Sequence, residues 1–151
     1  MKGTRGFTLI ELIIVIAVIA LLIGIALPRL RGMIEEGNTA KAAGELRALQ
    51  TAVESYYIHH AHVYPTAGAT WETALTGATP RLIGAALLDP FSTTGAQYQY
   101  GVSGNGFYYV IWSVGPDNTA GVTGVGNTGV VAGTPGDDIY TSNATSGTGG
   151  F

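Results

Sequence analysis

Arg5-Gly6-Phe7-Thr8-Leu9-Ile10-Glu11 leads directly into an apolar run, Leu12 to Leu27, that stops at Pro28. From Phe7 to Leu27 the only charged side chain is Glu11. At about 1.5 Å per helical residue, such a run crosses a ~30 Å hydrocarbon core. Lys2 and Arg5 precede it, which places the N-terminus on the cytoplasmic side, although Arg29 and Arg31 beyond the run dilute that bias. Glu11 is the anomaly, since a carboxylate inside a spanning segment costs about 2.5 to 3.5 kcal/mol and requires a partner or a function. A secretory signal peptide with Gly24-Ile25-Ala26 at its cleavage site would share the basic start, but the run is long for one and carries an acid. A plain single-pass anchor would leave Glu11 without a purpose.

Gly6-Phe7-Thr8-Leu9-Ile10-Glu11 resembles the N-terminal signal of type IV pilins and type II secretion pseudopilins. The resemblance implies that a prepilin peptidase cuts after Gly6, removing a leader of residues 1–6, and methylates the new amine of Phe7. Glu11 then lies about one helical turn from that amine. A carboxylate so placed would neutralise the Phe7 amine of an adjacent subunit, so assembly would remove the penalty that the isolated helix bears.

Beyond Pro28, Ala43, Leu46, Leu49, Val53, Tyr56 and Tyr57 recur at three- and four-residue steps, with Lys41, Glu45, Arg47 and Glu54 between them. This predicts one helix from Phe7 to about Val63, with residues 7–28 as its membrane or filament-core half and 29–63 as its amphipathic half. Gly24 and Pro28 are its weak point, because Pro28 removes the amide that would bond to Gly24. A zinc or copper site at His59 and His62 has little support, as no carboxylate or thiol accompanies them.

Residues 64–151 read as a C-terminal β domain. Tyr64-Pro65-Thr66 breaks the helix, and Thr70 to Thr76 forms a short turn covered by Trp71 and Leu75. Asp89-Pro90-Phe91 is a turn, Gln97 to Val102 a strand, Ser103 to Gly106 a turn, and Phe107 to Val114 an antiparallel partner strand covered on both faces. One face is expected to rest on Leu46, Leu49 and Val53, and the aromatic residues are expected to be core. From Gly115 to Phe151 the abundance of Gly, Thr, Ser and Asn predicts a long surface loop and a frayed tail, anchored at Asp137-Asp138-Ile139-Tyr140. Asn143-Ala144-Thr145 matches a glycosylation acceptor, a short pattern frequent by chance.

The chain has 151 residues, no cysteine and a net charge of −3. No disulfide can form, and no Lys or Arg follows Arg81. The distal region is therefore purely acidic, which argues against nucleic-acid binding there. Its acids are Asp89, Asp117, Asp137 and Asp138. Asp117, Asp137 and Asp138, with loop carbonyls such as that of Val114, form a candidate Ca²⁺ site, Ca²⁺ taking six to eight hard oxygens. The competing reading is that these acids solvate the loop. The alternating acids of an EF-hand are missing after Asp117.

The order Tyr64-Pro65-Thr66, Leu88-Asp89-Pro90-Phe91, Gln97 to Tyr100, Ser113-Val114-Gly115-Pro116-Asp117 and Asp138-Ile139 is similar to that of the major pseudopilin of type II secretion. Two departures stand out: a lengthened segment between Asp117 and Asp137, and an extra tail after Ile139. The resemblance implies an α+β, pilin-like fold, a long N-terminal helix packed on a small antiparallel β-sheet. It further implies a homopolymer that helps move folded proteins through the outer membrane, working with an inner-membrane assembly platform and minor pilin-like subunits. The subunit would begin as a single-pass inner-membrane protein and end in a periplasmic pseudopilus or an extracellular filament. A type IV pilin for adhesion, motility or DNA uptake shares the N-terminus, and a membrane-tethered binding module that never polymerises is the rival from another class. The residues contain no paired acid and base, phosphate-cradling loop or triad, so no enzyme is expected.

Overall fold

The computed structural model describes residues 7–144, so the 1–6 leader and the chain end from Thr145 lie outside the described residues. The elements are α1 (Leu9–His59), α2 (Glu72–Thr76), β1 (Gln99–Val102), β2 (Tyr109–Ser113), β3 (Val122–Val125), β4 (Val131–Gly133) and β5 (Ile139–Ser142). By internal contacts the chain divides into two units, one ending at Glu36 and the other beginning at Gly37. The first is helix alone. Every large apolar side chain from Leu9 to Ile34 is exposed.

In the second unit, α1 buries Ala42, Leu46, Leu49, Ala52 and Val53, successive members of a three-and-four repeat. Against this stripe lie Tyr98, Tyr100, Tyr109, Ile111 and Ile139, with Trp71, Leu75 and Phe91 closing the core. The expected rest for the sheet at Leu46, Leu49 and Val53 is where the sheet sits, and Ala42 rather than Ala43 is the fully buried alanine. Trp71 stacks on Tyr100 with ring centroids 4.5 Å apart and donates its indole N–H to the Tyr98 carbonyl at 2.9 Å. The short turn expected over Thr70 to Thr76 is α2 with Trp71 before it.

α1 stops at His59, short of Val63. Ala61 and His62 take φ of +53° and +60°, and the His62 amide reaches back to the Tyr57 carbonyl at 3.0 Å, a left-handed termination that ends the helix without a glycine. His59 and His60 turn their Nδ1 atoms onto the Ser55 and Tyr56 carbonyls at 2.7 and 3.0 Å, capping the last turn.

The main sheet has the order β1-β2-β5, antiparallel throughout, with Gln99 opposite Trp112 and Trp112 opposite Tyr140. β1 is shorter than expected because Gln97 bridges back to Leu88 before pairing begins. β2 is shorter at its end because the Val114 amide is given to Asp89 Oδ2 at 3.0 Å. All five β2 residues are buried, Tyr109 and Ile111 toward the helix stripe, Val110 and Trp112 in a second cluster with Val122 and Tyr140.

That second cluster overturns the reading of Gly115 onward as loop and tail. Residues 122–142 form three strands: β3 pairs with β4 as a separate hairpin, and β5 joins β2. A Cβ on Gly101 would lie 3.3 Å from the Gly124 Cα, so the glycines let the β3 backbone lie directly over β1. The covering layer is thin and poor in large side chains, which is why composition described it as loop.

Leu49→Ala removes a fully buried side chain from the stripe and should destabilise the fold by about 2–5 kcal/mol in denaturant titration of the detergent-solubilised chain. Ile58→Ala, on an exposed site of the same helix, should change it by no more than about 0.5 kcal/mol.

Candidate functional site

Two regions carry the residues singled out from the sequence. At the first, the Thr8 carbonyl accepts the Leu12 amide at 3.2 Å, so Thr8 caps α1. Its Oγ1 accepts the Glu11 amide at 3.3 Å, while Glu11 Oε2 accepts from both the Thr8 amide and the Thr8 hydroxyl at 3.4 Å. These are long bonds arranged as a capping box, in which a Thr and a Glu three residues on satisfy each other's backbone amides. Sequence reading left Glu11 without a partner inside its own chain; the Thr-x-x-Glu spacing was the available signal. Phe7 is 80% exposed and Glu11 is exposed beside it, with Gly6 outside the described residues. In the single chain α1 runs unbroken through Gly24 and Pro28, as the expectation of one helix requires.

One helix among the described residues is long and apolar enough to cross a membrane, and this is it. An apolar surface exposed all round a helix is stable only in lipid or against other apolar helices.

The second region is the junction of Val114 to Val122 with Asp137-Asp138. Gly115 has φ +67°, and a Cβ there would sit 2.5 Å from the Asp137 carbonyl oxygen, so only glycine lets these two segments meet. Asp137 Oδ2 accepts the Asp117 amide at 3.0 Å, and Asp117 Oδ1 accepts the Thr119 amide at 2.7 Å. Asp138 Oδ2 accepts the Gly121 and Val122 amides at 2.8 and 2.6 Å, fastening the start of β3 to the start of β5. Asp138 Oδ1 is buried without a hydrogen-bond partner. Burial pushes the Asp138 carboxyl above its ordinary range; the two amides pull it down, and the charges of Asp137 and Asp117 raise it again.

The fold thus brings Asp117, Asp137 and Asp138 together with the backbone that follows Val114. Among the described residues no three His, Cys, Asp or Glu side chains converge to hold a metal. A cation here would need backbone carbonyls as well. The orphaned Asp138 oxygen and the absence of any Lys or Arg after Arg81 suit a hard cation.

Asp89 was read only as a turn residue and does more. It is 4% exposed, accepting the Phe91 amide at 3.0 Å and the Ser113 hydroxyl at 2.7 Å on Oδ1, and the Val114 amide on Oδ2. It therefore sets where Val114 leaves β2. Asn143, which matches the acceptor pattern, is tied into the fold: its Oδ1 accepts the Tyr109 amide at 2.8 Å and its Nδ2 donates to the Phe107 carbonyl at 2.9 Å and the Tyr64 hydroxyl at 3.1 Å. Such a clasp occupies the nitrogen that glycosylation needs. His60 stacks on Tyr56 at 3.8 Å and His62 meets Tyr57 edge-on at 5.1 Å, so these imidazoles pack on the helix end.

Residues 1–27 match the prokaryotic N-terminal methylation motif, and residues 29–130 match the type II secretion system protein G family. The type II secretion system core protein G of Vibrio cholerae is 30% identical over 132 residues, 83% of this chain and 90% of that protein. The corresponding protein of Escherichia coli K12 is 35% identical over 75 residues, 50% of this chain and 51% of that protein. The type IV major alpha-pilin of Moraxella bovis is 49% identical over 55 residues, so the match spans 36% of this chain and 35% of the pilin. No solved structure is a significant match.

Asp138→Ala strands the Gly121 and Val122 amides and should cost about 1–3 kcal/mol, read as a lowered melting temperature with faster hydrogen exchange at Val122. Asp137→Ala, which alters an exposed side chain, should cost less.

Proposed function

The chain belongs to the type II secretion system protein G family, and on that premise we propose that it is the major pseudopilin, a structural subunit whose polymer drives folded proteins across the outer membrane. The observation that carries the reading is the helix surface from Leu9 to Leu27, apolar and exposed on all sides with one carboxylate, Glu11, at its start. In the inner membrane that surface faces lipid; in a filament it faces the same surface of other subunits. Transfer from one apolar medium to the other costs little hydrophobic energy, so the carboxylate sets the preference. Among the described residues, Glu11 bonds Thr8 of its own chain. Inside a filament it neutralises the amine of a neighbour's Phe7, exposed once the peptidase has cut after Gly6 and methylated it.

The pilin reading shares this N-terminus, but the match to protein G spans most of the chain and the match to the Moraxella pilin about a third. We place the subunit in the inner membrane before assembly and in the periplasm after it, with the assembly platform and minor pilin-like subunits as partners. Its role is structural and no enzymatic step belongs to the reading. The turn between Gly24 and Pro28, continuous in the single chain, is where packing would unwind the helix and lengthen the subunit.

We also propose Ca²⁺ at the acidic junction, entered at the unpartnered Asp138 Oδ1; because the three carboxylates do not converge in the chain as it stands, Asp117 and Asp137 would have to turn toward the ion, with backbone carbonyls such as that of Val114 completing its shell. Its contribution is charge: it would neutralise Asp138 Oδ1 and add to the amide bonds that Asp137 and Asp138 already make across the junction.

Glu11→Ala should insert normally yet reduce filament yield to near zero, and intact mass of wild-type filaments should correspond to a chain beginning at methylated Phe7. Filaments at wild-type yield from the variant, or subunits that retain Met1 to Gly6, overturn the reading. For the cation, chelation should lower the melting temperature of the wild-type chain, by about 4–8 °C per kcal/mol withdrawn, and Asp117→Ala should abolish that response.

A further inference from the structure

Glu72 is the most deeply buried carboxyl among the described residues, 0% exposed at the first position of α2. Its Oε2 accepts the Leu87 amide at 2.6 Å, and its Oε1 has no hydrogen-bond partner. Between Gly77 and Leu87 the chain has neither helix nor strand. It is held by three backbone attachments: Leu82 to the Leu75 carbonyl at 3.2 Å, Leu87 to Glu72, and the bridge of Leu88 to Gln97. Leu82, Ile83 and Leu87 lie partly buried on the main core. Among the described residues, Glu72 is therefore the side-chain hydrogen-bond acceptor that fastens the far end of this segment.

The groups facing it are mostly acidic. Glu45 on α1 acts on Glu72 electrostatically and accepts the Tyr98 hydroxyl at 2.6 Å. Burial raises the Tyr98 phenol first, and the hydrogen bond and charge of Glu45 with the charges of Asp89 and Glu72 raise it further. Lys41 stands 3.8 Å from Glu45 Oε1, so it offsets part of the Glu45 charge from the far side. Arg81, the only base in the segment, is exposed. Among the described residues Glu72 has one amide donor, one acid neighbour and no ion pair with a base.

We propose that Glu72 is a proton-operated latch: protonated, it seats residues 77–88 on the core, and ionised, it favours their release. Burial, with the Glu45 charge, pushes the carboxyl up to about 7 from 4.5, against the pull of the Leu87 amide. With the segment open, Glu72 meets water and titrates near 4.5, so at intermediate pH the open state sheds a proton that the closed state keeps. The closed state thus loses stability as pH rises from the open-state value to the closed-state value and is level above it. Opening becomes roughly tenfold easier per pH unit across that window. The seating of the segment thereby reports the acidity of the compartment that the domain occupies, whether or not the chain has polymerised.

The test is hydrogen exchange of the full chain in detergent micelles with chelator present, at pH 5.5, 7 and 8.5, corrected for intrinsic rates and referenced to β2 amides. Protection at Leu87 should fall by more than tenfold from pH 5.5 to 7 and change little above. Glu72→Gln keeps an oxygen for the Leu87 amide without a charge, and its protection should not vary with pH. Glu45→Gln removes the repelling carboxylate and should move the wild-type transition to lower pH, a readout that stands even if the Glu72 variant folds poorly. Equal wild-type protection at pH 5.5 and 8.5, an unchanged pH response in Glu72→Gln, or an unmoved transition in Glu45→Gln each overturns the latch.

Discussion

The domain from Gly37 onward depends on one contact, the face of α1 carrying Leu46, Leu49 and Val53 against Tyr109 and Ile111 of β2. Each of these aliphatic side chains is fully buried and contributes about 1.5–3 kcal/mol by leaving water. At the rim of the stripe, the same helix turns acceptors toward hydroxyls of the sheet. Glu45 takes Tyr98, Gln50 takes Thr141 at 2.8 Å, and Glu54 takes Tyr109 at 2.8 Å. The apolar stripe supplies most of the energy, and the hydroxyl bonds fix which strand residue lies over which turn. Tyr64, beside Glu54, has its phenol pushed up to about 12 by burial and by that carboxylate, so it stays neutral and able to donate.

Away from the helix, the domain is held by carboxyl groups that answer backbone amides rather than bases. Asp89 joins the turn before β1 to the end of β2, and Asp138 joins β3 to β5. Glu72 does the same for the segment ahead of β1. With no disulfide available, these joints and the Asn143 clasp take up the work of closing loops. Buried carboxylates of this kind differ in how completely they are satisfied. Both oxygens of Asp89 are bonded, whereas Glu72 and Asp138 each keep one oxygen without a partner. The unmatched oxygens mark where a proton or a cation has physical reason to enter.

The helix before Gly37 obeys a different solvent. From Leu12 to Leu27 its side chains are apolar on every side, so that stretch belongs in lipid or in a polymer, and the carboxylate just ahead of it, Glu11, makes those two environments unequal. The Thr8 and Glu11 capping box lets the isolated chain bear that carboxylate by satisfying helix-end amides. Membership of a family of filament subunits agrees with a helix built to change neighbours without changing its apolar surroundings.

What the sequence determined by itself was whatever short range decides. The apolar run, the Gly6 to Glu11 motif, the three-and-four stripe through Leu46, Leu49 and Val53, and the aromatic strand at Tyr109 to Ser113 were all legible, because each is set by neighbours within a turn or two of chain. The gathering of Asp117 with Asp137 and Asp138 was legible only as a shared acidity. Tertiary structure alone decided that β3, β4 and β5 exist: Val122, Val125 and Val131 are too few, and too interrupted by glycine, to signal strands until the Val110 and Trp112 face of β2 needs a cover. It also decided that Glu45, Glu54, Glu72 and Asp89, which local pattern assigns to turns and solvated faces, would meet tyrosine hydroxyls and backbone amides. A carboxylate's partners lie tens of residues away, and no local periodicity encodes them.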